Sequence, residues 1–245
     1  MQSNRGKQLN LYLAQGSDKA ACSSCAHLQV CLPGSLVGSK LLSVFEDMVG
    51  GSQVIERGQP LFMAGDVFSE LYIIKSGTFK AVVDKKSSAI LGFNFPANVV
   101  GLESVSTGTH THSLIALERS VVCNLNYLEV AEQFQRLPGV GVSIIYAMSA
   151  QIANTLSLFL VIQGGTVLQR VATFILYVAE QYDSRNLASD DITLPMGRTD
   201  ISKFLGISAE SLSRSLSHLT KAGVLKVKNR RITLTDRDAL AGLAH

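Results

Sequence analysis

The chain has 245 residues, 47% of them apolar and only 17% Asp, Glu, Lys or Arg, against about 25% charged in an ordinary globular domain. That balance excludes disorder, a collagen-like chain and an acidic tail, and the length suits two modules of unequal size and a core of ordinary size. The net charge of +3 is unevenly placed: residues 198–237 hold nine Lys or Arg against three acids, a local +6 that leaves −3 for the rest.

The opening residues MQSNRGKQLN lack a basic start followed by an apolar run, so the chain reads as cytoplasmic. Residues 1–35 are polar and small, broken by Cys22, Cys25 and Cys31 and closed by Pro33-Gly34, which suggests an arm organised around its cysteines. A short helix is expected over 38–49. From about 53 to 126 come short runs rich in Val, Ile, Phe and Tyr, separated by turn signals such as Arg57-Gly58, Ala64-Gly65-Asp66 and Lys75-Ser76-Gly77. Short strands at that spacing indicate a β-sandwich or small barrel.

No charged residue occurs from Leu137 to Gln169, which raises a membrane span as an alternative. The periodicity argues against it. Ile145, Met148, Ile152, Thr155, Phe159 and Ile162 are spaced three, four, three, four, three, a coiled-coil seam. Ser149, Gln151, Asn154 and Ser157 between them would be unusual on a lipid-facing helix, and Gly164-Gly165 provides an end. A dimerisation helix is therefore expected. Residues 167–182 then place Val167, Val171, Phe174, Ile175 and Val178 at helical spacing, as a core helix opening the second domain.

GRTDISKFLGISAESLSRSLSHLTKAG reads as two short helices around a turn at Gly206. Thr199 is expected to cap the first and Ser208 the second. Leu212, Leu216 and Leu219 share one helical face and must point to the core. The other face carries Glu210, Ser213, Arg214, Ser217 and Lys221. Arg214 can donate two bonds to a guanine edge, Glu210 can accept from a cytosine amino group, and Ser213 is small enough to let a helix approach the groove. An ordinary i, i+4 surface pair is the plainer reading of Glu210 with Arg214. Downstream, VLKVKNRRITLTD reads as a hairpin turning near Asn229, with Lys228, Arg230 and Arg231 able to reach phosphates. Thr199, Ser217 and Lys221 complete the expected backbone contacts. Helix, turn, helix and basic wing together point to double-stranded DNA.

The cysteine content is Cys22, Cys25 and Cys31, spaced C-x2-C-x5-C, and Cys123 in the last strand of the β region. Three close thiols plus one brought in by the fold can complete a four-coordinate site, and zinc and iron-sulfur both fit. His27 could replace one thiolate. A buried strand cysteine unrelated to the arm is the alternative for Cys123. No nucleophile elbow, P-loop, dinucleotide fingerprint or HExxH occurs, so an enzyme is not expected.

The arm spacing, the distant Cys123, the run RGQPLFMAGD followed by LYIIKSGTFK, then GLES, the uncharged helix and ISAESLSR resemble the FNR branch of the CRP/FNR transcription regulators over nearly the whole chain. The resemblance implies an α+β architecture: a cysteine arm over 1–35, a β jelly-roll sensor domain over 36–136, a dimerisation helix over 137–165 and a winged helix-turn-helix over 166–245. It implies a [4Fe-4S] cluster held by Cys22, Cys25, Cys31 and Cys123 as an oxygen-labile switch. Glu210, Ser213 and Arg214 fall on the E-x-x-S-R signature, which implies palindromic DNA with TTGAT-like half-sites and RNA polymerase as a partner.

The cyclic-nucleotide branch of the same superfamily is the nearest rival. Glu103 remains as the acid that could hold a ribose, but Thr111-His112-Ser113 stands where that branch carries its phosphate-binding arginine. No cyclic nucleotide is expected, and His110 and His112 are expected as exposed loop residues. The dimer helix also lacks the acidic residues of well-known FNR proteins, so a dimer that persists without its cluster is expected. The loop from Asp84 to Ala89 is short, which weakens any carried-over polymerase contact there.

Overall fold

The computed structural model describes residues 22, 25, 43, 46–84, 89–136, 138–163, 165–184 and 189–244. Eight strands form the first domain: β1 (Val49–Ile55), β2 (Pro60–Phe62), β3 (Glu70–Ser76), β4 (Phe79–Val82), β5 (Ile90–Asn94), β6 (Val99–Val100), β7 (Ser113–Ala116) and β8 (Ser120–Asn126). They make two four-stranded sheets, ordered β1-β8-β3-β6 and β2-β7-β4-β5. The expected β jelly-roll is present. Its first strand starts at Val49, inside the span expected as helix, because Val49 and Gly51 already pair with β8 across a bulge.

Side chains alternate across a strand, and the first sheet uses both faces. Ile74 and Val122 point into the inter-sheet core with Ile55, Phe62, Phe79 and Leu114. One residue on, Ile73 and Cys123 pair in register and point to the opposite face, into a second cluster with Met48, Leu71 and Leu125. The β3–β4 turn depends on Gly77 at φ +84°, where an added Cβ would lie 2.1 Å from Ser120 Oγ.

Three helices follow: α1 (Tyr127–Arg136), α2 (Pro138–Gln163) and α3 (Val167–Asp183). Helix α1 begins where the expected strand region ends, over residues to which the sequence reading assigns no element. Helix α3 starts in a capping box, with Thr166 Oγ1 accepting from the Gln169 amide at 3.2 Å and Gln169 Oε1 accepting from the Thr166 amide at 2.7 Å. None of the described helices is long and apolar enough to cross a membrane.

The second domain continues with β9 (Asp191–Thr193), α4 (Arg198–Leu205), α5 (Ala209–Lys221), β10 (Leu225–Lys228), β11 (Arg231–Leu234) and α6 (Arg237–Ala244). The winged helix-turn-helix is thus formed, with a three-stranded sheet ordered β10-β11-β9. Gly206 at φ 63° makes the turn between α4 and α5, and Asn229 at φ 57° makes the turn of the wing. Ser208 caps α5 as expected, accepting from the Ser211 amide at 3.0 Å. Thr199 does not cap α4. The cap is Gly197, two residues earlier, with no side-chain cap bond, so Thr199 lies within the first turn.

The core of this domain joins Val171, Phe174, Ile175, Phe204, Leu212, Leu216, Leu219, Leu225 and Ile232. It does not stop at the domain boundary. Val82, Ile90, Phe93, Phe95 and Leu117 of the β-roll and Leu158 and Val161 of α2 belong to the same cluster.

Candidate functional site

The reading face of α5 is assembled by its own amphipathicity. Leu212, Leu216 and Leu219 are buried, and the turn of helix between them leaves Glu210, Arg214, Ser217 and Lys221 exposed, with Ser213 half-buried. Glu210, Ser213, Arg214, Ser217, His218 and Lys221 line one shallow open depression. Arg214 Nη1 lies 3.4 Å from Glu210 Oε1, the i, i+4 pair expected from spacing, but both side chains are more than two-thirds exposed and the pair is open to a competing partner.

Three cations flank that face. Arg198, which no sequence signal singles out, donates from Nη1 to Ser213 Oγ at 3.1 Å. Lys228 and Arg230 stand exposed on the wing, and Arg230 Nη1 donates to the Pro195 carbonyl at 3.2 Å. Arg231 is turned to the sheet instead: its Nε donates to Asp191 Oδ1 at 2.6 Å and its Nη2 to Asp191 Oδ2. Thr199 is exposed beside Arg198. The face is positive, solvent-open and carried by a helix, which suits a phosphate-lined groove.

On α2, Ile145, Met148, Ile152 and Phe159 are exposed, as are Val142, Tyr146, Leu156 and Leu160. Thr155 is exposed and donates from Oγ1 to the Gln151 carbonyl at 2.9 Å. Ile162 is half-buried and packs on the shared core. The opposite side of the helix buries Leu158 and Val161, and Asn154 Oδ1 accepts from Tyr177 Oη at 2.9 Å and Gln181 Nε2 at 3.3 Å.

Cys22 and Cys123 are both buried in the cluster outside the first sheet, together with Met48, Ile73 and Val130 of α1. Cys25 is half-buried, its amide donating to the Cys22 carbonyl at 3.0 Å. Burial, then the neighbouring Cys123, push the Cys22 thiol up to about 11. Burial also raises Cys123, partly offset by Lys75. These thiols hold their protons unless a cation takes them. Cys31 lies outside the described residues, and among the described residues no group of three His, Cys, Asp or Glu side chains is disposed to hold a metal ion. The donor set itself is soft sulfur, of the kind that suits zinc or an iron-sulfur centre.

In the segment from Glu103 to Ser113, both histidines pack against side chains of the β-roll. His110 is buried and stacks on Phe62, and its Nδ1 lies 3.0 Å from Ser104 Oγ. His112 Nε2 lies 3.7 Å from Glu103 Oε1, with the histidine only 15% exposed. The expectation of exposed loop histidines is thereby corrected. The Gly65 amide donates to the His110 carbonyl at 2.7 Å and the His110 amide to the Asp66 carbonyl at 2.9 Å, which folds the segment inward.

A β-roll feeding a long helix into a winged helix-turn-helix with a positive, outward-facing reading helix defines a DNA-binding transcription regulator. Residues 52–136 match the cyclic nucleotide-binding domain and residues 169–243 the Crp-like helix-turn-helix domain. The chain is 30% identical over 240 residues to the fumarate and nitrate reduction regulatory protein of Escherichia coli strain K12, covering 97% of this chain and 96% of that one. The Salmonella typhimurium protein of the same name matches with the same identity and coverage. The chain belongs to the CRP/FNR family. Its relatives are transcription regulators, not enzymes. Two solved structures share the fold: FixK2 from Bradyrhizobium japonicum, with TM-score 0.70 and 23% identity over 79% of this chain and 96% of that chain, and a CRP-family transcriptional regulator from Thermus thermophilus, with TM-score 0.60 and 18% identity over 78% and 96%.

Proposed function

We propose that the protein is a homodimeric activator of anaerobic or redox-responsive genes that senses oxygen or nitric oxide through an oxygen-labile [4Fe-4S] cluster held by Cys22, Cys25, Cys31 and Cys123. The observation that carries this reading is the burial of Cys22, from the arm, beside Cys123, from β8, in one apolar cluster. A cluster bound there supplies the oxygen-sensitive chemistry. The chain would do the rest: Cys22 and Cys123 would give up protons that burial otherwise makes them keep, Cys123 would tie Cys22 to the first sheet, and α1, packed on the same apolar cluster through Val130, lies directly before α2. A change in the arm therefore reaches the dimer helix within one element.

Two copies of α2 joined through Ile145, Met148, Ile152 and Phe159 would bury an apolar face that a monomer leaves in water. Thr155 and Ile162 stand at the same heptad spacing. The domain division over 1–35, 36–136, 137–165 and 166–245 belongs to this reading. The two reading helices then meet a palindrome with TTGAT-like half-sites, with Glu210, Ser213 and Arg214 at the bases and Thr199, Ser217, Lys221, Lys228 and Arg230 toward phosphates, which Arg231 would reach by exchanging Asp191 for a phosphate. RNA polymerase is the further partner of an activator, and the cytoplasm is where both would be met.

The test is colour and composition. Protein purified without oxygen is expected to be brown, with about four irons and matching sulfide per chain, and to bleach in air. Colourless protein carrying one zinc would instead leave a zinc- or thiol-based regulator on the same scaffold.

A further inference from the structure

Lys80, in the middle of β4, and Asp200, in the first turn of α4, are 120 residues apart and in different domains. Lys80 Nζ donates to Asp200 Oδ1 at 2.8 Å, with the two side chains only 24% and 20% exposed. Behind the pair stand three rings. Phe93 of β5 lies 5.4 Å from Phe204 of α4 and 6.0 Å from Phe174 of α3, at interplanar angles of 65° and 60°, edge-on geometry of the attractive kind. Phe174 and Phe204 are themselves 5.8 Å apart. Beside Phe93, Gly92 brings the strand down onto α2, where an added Cβ would lie 3.1 Å from Leu158 Cδ1.

The hairpin of β4 and β5 therefore touches three helices at once: α2, which carries the exposed apolar face, α3, and α4, the first helix of the helix-turn-helix. The contact buries Phe204 and half-buries Asp200, yet leaves Glu210, Arg214, Ser217 and Lys221 of α5 exposed. It reaches α4, which packs on the reading helix, without covering the reading face. A partly buried ion pair is also stringent, because removing one partner leaves the other with less than its full hydration.

We propose that the β4–β5 hairpin is a strap that sets the angle of α5 relative to α2, with Lys80 as a positioning residue for DNA recognition that acts only through Asp200. The proposal rests on the dimeric DNA-binding reading given above. A palindrome requires two reading helices at one fixed separation and tilt, whereas a lone half-site requires only one helix. Loosening the strap should therefore cost palindrome affinity alone.

The experiment uses the full-length protein, a palindromic duplex with TTGAT-like half-sites and a duplex carrying a single half-site. Lys80→Gln and Asp200→Asn are each expected to weaken palindrome binding roughly five- to tenfold, in the lower range of measured coupling between sites. Half-site binding and the salt dependence should stay at the wild-type level. The double variant should be no weaker than either single one, since both changes remove one interaction, and Lys80→Arg should keep most of the affinity. Equal weakening on both duplexes, additive losses, or a shallower salt dependence with Lys80→Gln would overturn the strap and make Lys80 a phosphate contact or a merely structural residue. A folded Lys80→Gln protein with unchanged palindrome affinity would also overturn it. Wild-type protein that does not prefer the palindrome to the half-site refutes the dimeric reading itself, an outcome visible before any variant is compared.

Discussion

The imidazole of His110 lies flat on the ring of Phe62, the centroids 3.8 Å apart and the planes 9° from parallel. Burial lowers the pKa of His110 and of His112, and Glu103 pulls both back toward the charged form. A histidine whose folded pKa lies below its unfolded value of about 6.5 binds more protons in the unfolded chain. Its stabilisation is therefore complete above about pH 6.5 and is lost as pH falls from there through the folded pKa. Urea midpoints measured from pH 7.5 downward are expected to drop below about pH 6.5, and the drop should be shallower in His110→Phe, which keeps the stack and cannot titrate.

Arg214 stands free enough on α5 to exchange Glu210 for a base. Arg214→Ala is expected to cost about 1–3 kcal/mol of palindrome affinity and to relax the choice at one base pair. A panel of duplexes with single substitutions in each half-site reads both effects. Equal weakening on random DNA would assign Arg214 to a phosphate instead.

Cys123 has no role in the inter-sheet core, which it faces away from. Cys123→Ala is expected to remove the iron-sulfur absorption from protein prepared without oxygen while leaving the β-roll folded, as followed by circular dichroism. Retained [4Fe-4S] absorption in this variant contradicts the ligand assignment.

Phe93 is fully buried at the junction of the two domains. Phe93→Ala should destabilise the protein by about 3–5 kcal/mol, the usual range for a large aromatic in a core that cannot collapse around the cavity. Denaturant unfolding followed separately in each domain is expected to lose its coincidence, because the shared cluster is what joins them.

The apolar face of α2 carries no charge to drive two copies apart, so on the proposed reading the protein is expected to be dimeric with or without a cluster. Light scattering coupled to size-exclusion chromatography at micromolar concentration checks this, and Ile152→Glu is expected to give monomer. Cluster-free wild-type protein that runs only as a monomer removes the claim.

The helix-turn-helix is legible in the sequence because its signals are local: Gly206 for the turn, Ser208 for the cap, and leucines at helical spacing on the far face of α5. The β-roll is legible from the rhythm of turns and short apolar runs. Thr199 has the chemistry of a cap, yet Gly197 enters the helix with only its backbone and leaves no side-chain signal. His110 and His112 look solvated because they sit in a Gly- and Thr-rich loop, until a ring such as Phe62 is brought over them. Lys80 with Asp200, and Arg198 with Ser213, are invisible in the sequence. Each is a pairing made by tertiary packing, and a lysine on a strand or an arginine opening a helix looks like any other surface charge.

Cys123 sits on β8, which is hydrogen-bonded on one side to β1 and on the other to β3. A strand clamped on both edges cannot fray or slide without breaking two ladders, so it is among the stiffest places in the domain. Among the described residues, Cys22 and Cys25 share one backbone hydrogen bond, and Cys22 is otherwise held by packing in the cluster with Cys123. If the tie between arm and sheet is cut, the sheet is the dock and the arm is the rope. Val130 of α1, resting on the same apolar cluster, would then lose a neighbour rather than a foundation.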